Sequence, residues 1–393
     1  MVAGLSTALD LAFTEIATHH TRVAFVSLRL GKVMGLDARA LMDLYVAASL
    51  HDLGAIASPD RPRLAQFDAM APYEHCRRGA LFLAESEVLA PLARVLDSHH
   101  DEWAGPNPSG LLETDIPLAS RVIHLADRVD ILFDRCRPAI GQRDAIRRRI
   151  RSRSGQSFDP AVVEAFDDVS DAERFWRAYG DARPAELLED VAADCGDHPL
   201  PSEAISPLAG MFSRVIDSRS PYTREHSSFV ARVAVVLAAS LGFDATQRSD
   251  LAVAALLHDI GKLGVPEALL LKAGPLDGGE REVMRRHVGQ TDRVLRRIGG
   301  IGHIRPWASF HHERPDGRGY PFGLDQGSLP LGSQLVSVCD QFAALAQERP
   351  YRPALDRESI ASVLGRAARG GGLNGDLVDL LLERFEEISA PGP

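Results

Sequence analysis

Residues 50–54 read Leu-His-Asp-Leu-Gly, and they recur as Leu-His-Asp-Ile-Gly at residues 257–261, a repeat that decides the fold. The two copies lie 207 residues apart, and the same separation relates His19 to His226. Further along the chain, matched His and Asp residues lie 212 or 213 residues apart, so the separation changes only by small insertions. Internal similarity at a nearly constant separation indicates repeated structural units. The sequence therefore predicts two copies of one module.

Each copy shows the hydrophobic periodicity of helices. The segment HSSFVARVAVVLAASLGFD (residues 226–244) places Val and Leu residues on one helical face and ends near Gly242, a residue type favoured just after helices. The apolar segment that follows predicts a buried helix that carries His258 and Asp259 near its end and stops at Gly261. Because strand-like alternation is scarce, the predicted fold class is all-α, with two tandem helical bundles.

The domain limits follow from the repeat and from local composition. The first module is assigned to residues 1–170 and the second to residues 206–388. Residues 171–205 contain several prolines and acidic residues and are interpreted as a linker. A basic run at residues 143–155 is interpreted as a solvated helix face in preference to a nucleic-acid site.

Composition limits the partners and the compartment. The 393-residue chain carries 44 Lys and Arg against 54 Asp and Glu, a net charge of −10, which argues against broad nucleic-acid binding. Its four cysteines form no CxxC pair, and its first residues lack the basic region of a signal peptide. No run of about 18 apolar residues occurs. We therefore expect a cytoplasmic protein with no membrane partner; a homo-oligomer or a regulatory protein partner stays open.

The matched residues of the second module are the types that bind metals. They are His226, His258, Asp259, His287, His311, His312 and Asp340. Neutral imidazoles and carboxylates suit Mn, Fe, Zn, Co or Ni. Five histidines and two aspartates exceed what one octahedral ion with a bound water needs, and they fit two ions that share a bridging carboxylate. Such a pair can place a hydroxide for in-line displacement at phosphorus.

The second module also resembles the HD-GYP branch of the HD phosphohydrolase superfamily. It contains the His-Asp pair followed by Gly261 and Lys262, and the segment HHERPDGRGYPFGL at residues 311–324. The segment VCDQFAALAQERPYR at residues 338–352 is similar to the family's last metal-ligand region. The resemblance implies hydrolysis of cyclic di-GMP to linear pGpG, to GMP, or to both. Hydrolysis of another cyclic di- or mononucleotide, and non-hydrolytic nucleotide binding, are the alternatives.

The resemblance also implies roles for single residues. One metal would be held by His226, His258, Asp259 and Asp340, and Asp259 would bridge to a second metal held by His287, His311 and His312. Lys262 is implied to contact the substrate phosphate and, with Asp259, to take part in catalysis. The remaining substrate-binding residues implied by the family are Gly319, Tyr320, Pro321, Arg349 and Arg352. Two divalent metals per module are expected, with Fe or Mn favoured over Zn, Co or Ni.

The first module repeats the ligands but departs from the pattern on the substrate side. Its matched ligands are His19, His51, Asp52, His75, His99, His100 and Asp127, and Glu15 matches a third-metal carboxylate of some family members. Ala55 stands where the second module has Lys262, and no Gly-Tyr-Pro sequence is present. Cys136 and Ala139 match Arg349 and Arg352. The first module is therefore predicted to hold metals but to bind cyclic di-GMP poorly or to bind a different ligand, or to be a degenerate repeat kept for packing or regulation.

Overall fold

The fold was analysed in a computed structural model, which describes residues 2–12, 18–56, 73–181, 205–219, 225–348 and 352–389. The chain divides into two compact units at residues 200 and 201, in agreement with the two predicted modules. No strand occurs among these described residues, whose β-structure is limited to two isolated bridges. The predicted all-α class is confirmed.

The first unit is built from helices joined by short loops and 3-10 turns. Its α-helices are α1 (Val2–Ala12), α2 (His19–Val33), α3 (Ala38–Leu50), α4 (Tyr73–Ala84), α5 (Ala93–Asp97), α6 (Leu118–Leu132), α7 (Arg143–Arg151), α8 (Pro160–Asp171) and α9 (Glu173–Asp181). A 3-10 turn at Leu53–Ala55 follows α3 and packs against α4. Helix α2 packs against both α3 and α6.

The second unit repeats this order. Its α-helices are α10 (Ile205–Asp217), α11 (His226–Ser240), α12 (Ala245–Leu257), α13 (Glu267–Leu270), α14 (Gly278–Leu295), α15 (Arg305–Ser309), α16 (Leu331–Ala346), α17 (Arg357–Arg369), α18 (Gly375–Glu383) and α19 (Phe385–Ser389). A 3-10 turn at Ile260–Gly264 follows α12 and packs against α14, as its counterpart does in the first unit. Helix α11 packs against α12 and α16.

Local sequence signals explain the bounds of α11 and α12. Gly242 has φ 79° and reverses the chain after α11, as its position in the sequence predicted. Asp244 caps α12 by accepting a hydrogen bond from the Gln247 backbone N–H at 2.8 Å, and the Gln247 side chain accepts one from the Asp244 N–H at 2.9 Å. The predicted C-terminus of α12 was wrong. This helix ends at Leu257, and Gly261 lies inside the following 3-10 turn instead of stopping the helix.

The first unit extends into the segment that was interpreted as a linker. Residues 173–181 form helix α9, in which Trp176 and Tyr179 are fully buried. The Tyr179 hydroxyl donates a hydrogen bond to Asp130 Oδ1 at 2.6 Å, and the Trp176 indole N–H donates to the Ser170 carbonyl at 2.8 Å. The linker is therefore shorter at its first end than the composition indicated, because two aromatic residues belong to the core.

The basic run at residues 143–155 includes α7, whose arginines pair with acidic residues of α8. Arg147 lies 2.7 Å from Asp171, and Arg151 lies 2.6 Å from Asp167. These ion pairs neutralise part of the positive charge of residues 143–155 within the first unit. None of the helices in the described parts of the chain combines the length and the apolar character that crossing a bilayer requires.

Candidate metal centre

Helix ends bring the predicted ligands of the second unit to one buried place. His226 opens α11, His258 follows the last residue of α12, and Asp340 lies in the middle of α16. His287 lies in α14, and the pair His311-His312 follows α15. Since α11 packs against both α12 and α16, residues far apart in sequence become neighbours.

Asp259 stands between two groups of histidines. Its Oδ2 lies 3.3 Å from His258 Nε2, whereas its Oδ1 lies 3.4 Å from His287 Nε2 and 4.0 Å from His311 Nε2. One carboxylate oxygen thus faces each group. This is the arrangement that a carboxylate shared by two adjacent metal ions requires.

The other predicted ligands complete the two groups. Asp340 Oδ1 lies 3.0 Å from His226 Nε2 and 3.8 Å from His258 Nε2. The ring of His312 lies 4.2 Å from that of His311 and 5.3 Å from that of His287, between ring centroids. All seven residues that the sequence singled out in this module therefore come together.

The hydrogen bonds of these histidines select the tautomer that a metal ligand needs. The Nδ1–H groups of His258, His287 and His311 donate to the carbonyls three residues earlier, at 2.6, 2.6 and 2.7 Å. Their Nε2 atoms point inward, are buried and have no hydrogen-bond partner, and the same holds for Asp259 Oδ1. Leaving such atoms unpaired is costly, and a backbone bond on the far nitrogen is the usual support of a metal-bound histidine. The donor set therefore fits divalent transition metals.

Electrostatics agree with this interpretation. Burial raises the pKa of Asp259, but the charges of His258 and Lys262 outweigh it and hold that pKa well below its usual range. Burial lowers the pKa of His287 to about 3 and that of His311 well below its usual value, so both imidazoles are neutral. An ionised Asp259 beside neutral His287 and His311 is the protonation state that metal ligands adopt. Burial lowers the pKa of His258, but Asp259 and Asp340 outweigh it and raise that pKa to about 10, so His258 would release a proton when a metal binds.

The first unit gathers its predicted ligands in the same way. His19 Nε2 lies 3.2 Å from Asp127 Oδ1 and 3.3 Å from His51 Nε2. Asp52 Oδ1 lies 3.2 Å from His75 Nε2. His99 and His100 lie beside His75, with ring centroids 5.1 Å from it in each case. Glu15, the predicted third-metal ligand, lies outside the described residues.

Comparison with known proteins assigns both units. The family model for the HD domain matches residues 16–132, and a second HD-domain model matches residues 210–369. Each match spans the His-Asp pair and the helices that carry the surrounding ligands. The chain is a tandem HD-domain protein. Its two sets of His and Asp residues lie one in each HD domain and are suited to divalent metals, and only the second domain carries the Gly-Tyr-Pro sequence.

The chain is also similar to several phosphodiesterases. It is 28% identical to 3′3′-cGAMP-specific phosphodiesterase 1 of Vibrio cholerae, over 98% of this chain and 90% of the relative. It is 33% identical to the cyclic di-GMP phosphodiesterase PA4108 of Pseudomonas aeruginosa, over 49% of this chain and 44% of the relative. The solved structure of a V. cholerae cyclic GMP-AMP-specific phosphodiesterase covers 99% of this chain and 97% of its own, with a TM-score of 0.68 and 24% identity, which shows a shared fold.

Arg219, which the sequence did not single out, supports the turn that carries Lys262 in the second HD domain. Lys262 forms an ion pair with Asp259 Oδ2, and its side chain is 28% exposed at the edge of the metal centre. Buried Arg219 donates to the carbonyls of Leu263 at 2.9 Å and Val265 at 3.0 Å, and also to that of Lys262. Arg219 therefore fixes the turn that carries Lys262.

The first HD domain has neither the lysine nor the supporting arginine. With the separation of 207 residues, Ala55 matches Lys262 and Ala12 matches Arg219, and both alanines are buried. The cation and its supporting arginine are thus absent together. No short motif marks Arg219, because its partners lie more than 40 residues further along the chain.

The Gly-Tyr-Pro loop of the second HD domain lies against the metal centre. The ring of Tyr320 stacks on His312 at 5.0 Å between centroids, and the Arg285 guanidinium lies 4.8 Å from the Tyr320 ring. An added Cβ at Gly319 would lie 2.4 Å from backbone atoms of Glu313 and Arg314, so glycine permits this close approach. Pro321 follows Tyr320 through a cis peptide bond.

Glu313, which sequence reasoning missed, anchors this loop. Its side chain is 1% exposed, and its two oxygens accept hydrogen bonds from the backbone N–H groups of Phe322 at 2.6 Å and Leu324 at 2.9 Å. Asp101 takes its place in the first HD domain and accepts a hydrogen bond from Ser109. The one sequence signal for Glu313 was an acidic residue directly after the predicted ligand pair His311-His312.

Arg352 has backbone partners in this structure. Its guanidinium donates to the carbonyls of Ala344 at 2.7 Å, Leu345 at 3.1 Å and Pro353 at 2.8 Å. These contacts join it to the C-terminal end of α16, the helix that carries Asp340, where a cation is favourable. Arg349, the other predicted phosphate contact, lies outside the described residues.

Replacing Glu313 with glutamine is expected to loosen the loop and to leave the metal ligands in place. The amide nitrogen cannot accept a hydrogen bond, so one partly buried backbone N–H loses its carboxylate partner at a cost of about 1–3 kcal/mol. Hydrogen exchange of the peptide that contains Phe322 and Leu324 should accelerate about tenfold or more. Glu282→Gln, at an exposed position on α14, is the matched control. Unchanged exchange in Glu313→Gln would contradict the anchoring role.

Proposed function

We propose that this chain is a metal-dependent cyclic dinucleotide phosphodiesterase and that its second HD domain carries out the hydrolysis. The observation that carries the proposal is the position of Lys262 and the Gly-Tyr-Pro loop, which both touch the metal-binding residues of that domain. The first HD domain has the same type of ligand cluster with Ala55 in place of the lysine. A metal centre next to a cation suits an anionic phosphodiester.

The metal-binding residues of the second HD domain divide into two sets. His226, His258, Asp259 and Asp340 would hold one divalent ion, and Asp259, His287, His311 and His312 would hold another, with Fe or Mn favoured. Such ions supply a nucleophile from water and neutralise charge that develops at phosphorus. Asp259 keeps the two positions adjacent, since each of its oxygens faces one set.

Lys262 and the loop act on the substrate side. The Lys262 ammonium at the edge of the centre would contact a nonbridging phosphate oxygen and hold the phosphodiester in line. Tyr320 stacks on His312 and carries the Arg285 guanidinium over its ring, so Arg285 would add a second cation for the phosphates of a nucleotide. Arg352 would contribute to the positive potential near the end of α16.

Two cyclic dinucleotides are candidate substrates. The V. cholerae relative that matches along both HD domains acts on 3′3′-cGAMP, and another cGAMP-specific phosphodiesterase of that organism is 31% identical over 74% of this chain and 62% of its own length. Cyclic di-GMP phosphodiesterases such as PA4108 and the Xanthomonas campestris response regulator RpfG match about half of this chain. We therefore place 3′3′-cGAMP first and cyclic di-GMP second.

Turnover measurements on a panel of nucleotides test the proposal. The full chain, supplied with Mn or Fe, should hydrolyse 3′3′-cGAMP or cyclic di-GMP and leave a cyclic mononucleotide intact. Lys262→Ala should lower kcat about tenfold to hundredfold with metal content retained, an effect reduced from that of a fully buried donor because the side chain is partly exposed. Lys272→Ala, a lysine that pairs with Glu280 elsewhere in the same domain, is the matched control. Metal-loaded protein that cleaves neither dinucleotide would overturn the proposal.

A further inference from the structure

The first HD domain carries a cysteine at its metal centre that the second does not. Cys76 follows His75 on α4 and is 1% exposed. Its Sγ lies 3.6 Å from His75 Nε2 and 3.9 Å from His99 Nε2, and these two nitrogens lie 3.2 Å from each other. Val288, fully buried, occupies the matching position in the second HD domain. A hydrocarbon side chain therefore satisfies the packing at this place in the repeat.

We propose that Cys76, together with His75, His99 and His100, forms a closed thiolate-containing zinc site in the first HD domain. One ligand atom from each of these four residues lies within 4.8 Å of one atom from each of the others. The proposal concerns the first HD domain alone and does not depend on hydrolysis by the second.

The distances match the geometry of tetrahedral zinc. Bonds of about 2.0 Å to nitrogen and about 2.3 Å to sulfur, at tetrahedral angles, place ligand atoms roughly 3.3–3.6 Å apart. The three atoms Sγ of Cys76, Nε2 of His75 and Nε2 of His99 are separated by 3.2–3.9 Å. These three spacings thus suit one tetrahedral ion.

Buried atoms without partners point to the same place. His99 donates from Nδ1 to the Leu96 carbonyl at 2.7 Å, which leaves its Nε2 as an acceptor. His100 Nε2 and Asp52 Oδ1 are buried and have no hydrogen-bond partner, and the two residues are 7% and 2% exposed. Asp52 Oδ1 also lies 3.2 Å from His75 Nε2. A cation at this point would bind the His100 nitrogen and place a positive charge beside the Asp52 carboxylate, neither of which a thiol alone can do.

The chemistry of the four ligands favours zinc and a structural role for the site. A thiolate is a soft ligand, and a site with cysteine and histidine ligands selects zinc over the harder Mn or Mg ions. Binding releases the thiol proton to solvent as the sulfur–metal bond forms. Three histidines and one cysteine fill a tetrahedral ion, and zinc sites with four protein ligands are structural, since catalytic sites keep one position open. The first HD domain would thus retain zinc without presenting water to a substrate.

Cobalt substitution in the full chain tests the proposal, with Cys76→Val as the decisive variant because valine is the residue of the second HD domain. Co(II)-loaded wild-type protein should show a near-ultraviolet thiolate-to-cobalt charge-transfer band. Cys76→Val should lose this band, and its zinc affinity at this site should fall more than about tenfold, since even the loss of an outer-shell partner costs that much. Cys136→Ser, at an exposed cysteine, should keep both.

Two further variants keep the test decisive. Cys76→Ser preserves the side-chain volume and cannot give a thiolate band, so it replaces the valine variant if that protein does not fold. Val288→Cys should add a band in the second HD domain. A wild-type protein with full cobalt occupancy and no band, or an undiminished band in Cys76→Val, would overturn the proposal. Because the readout is spectroscopic, this outcome is distinguishable from a failure of cyclic dinucleotide hydrolysis.

Discussion

Replacing Asp259 with alanine is expected to empty the second metal centre and to lower cyclic dinucleotide hydrolysis at least about a thousandfold. Removal of one preorganised group commonly costs about a hundredfold to a thousandfold in rate, and Asp259 serves both metal positions. Its two oxygens face His258 on one side and His287 on the other, so a single substitution removes a ligand from each set. The measurements are elemental analysis and initial rates with metal supplied.

The matched control is Asp52→Ala in the first HD domain. Asp52 occupies the same place in the repeat, and its Oδ1 lies 3.2 Å from His75 Nε2. Its loss should release metal from the group of His19, His51 and Asp52 in the first HD domain and leave most of the turnover, because Lys262 and the Gly-Tyr-Pro loop belong to the second domain. A dead Asp52→Ala variant beside an active Asp259→Ala variant would show that the wrong domain has been assigned to hydrolysis.

The clustering of the His and Asp residues could be predicted from sequence because the chain contains its own comparison. His258 and Asp259 match His51 and Asp52 at a constant separation, and a chance recurrence of a full ligand set in the same order is improbable. The helical fold could be predicted because Val230, Val233 and Leu237 of α11 recur at helical spacing, and all three are buried. Residue type and order were sufficient for these inferences.

The supporting residues could not be predicted because their function is set by three-dimensional contacts. Arg219 binds carbonyls more than 40 residues away, and Glu313 binds backbone N–H groups of a loop whose path no motif specifies. Charged residues usually lie at the protein surface, so their type alone does not indicate the buried contacts of these two. The spacing of the cysteines indicates no role for Cys76, because its neighbours are histidines. Its match to Val288 in the other copy was the signal that could have revealed it.

The end of α12 was mispredicted for a related reason. Gly261 was interpreted as a helix stop, a role that usually requires a positive φ, and it is not among the residues with positive φ. Gly261 is needed instead because the turn packs closely against the backbone of α14. An added Cβ would lie 1.9 Å from the His287 carbonyl oxygen and 2.6 Å from the Thr291 backbone nitrogen. The turn after α12 therefore lies directly on α14, and the Gly261 N–H donates to Thr291 Oγ1 at 3.0 Å.

Gly261→Ala is accordingly expected to separate Asp259 from His287. Both obstructing atoms belong to the backbone of α14, so the turn must move, because neither atom can rotate away as a side chain would. Overpacking of this kind costs about 1–3 kcal/mol of folding stability. A shift of about 1 Å at a reacting centre can cost a hundredfold in rate. The variant should therefore lose metal from the set of His287, His311 and His312, and its turnover should fall at least about a hundredfold.

Gly289→Ala provides the control with the same chemical change on the same helix. An added Cβ at Gly289 would meet nothing within 4 Å, and alanine in a helix interior is favoured over glycine by roughly 0.5–1 kcal/mol. The midpoint temperature of thermal unfolding should thus rise for Gly289→Ala and fall for Gly261→Ala. Metal content should fall only in Gly261→Ala. Equal metal content and rate in the two variants would show that the close approach of the turn to α14 does not hold Asp259 in place.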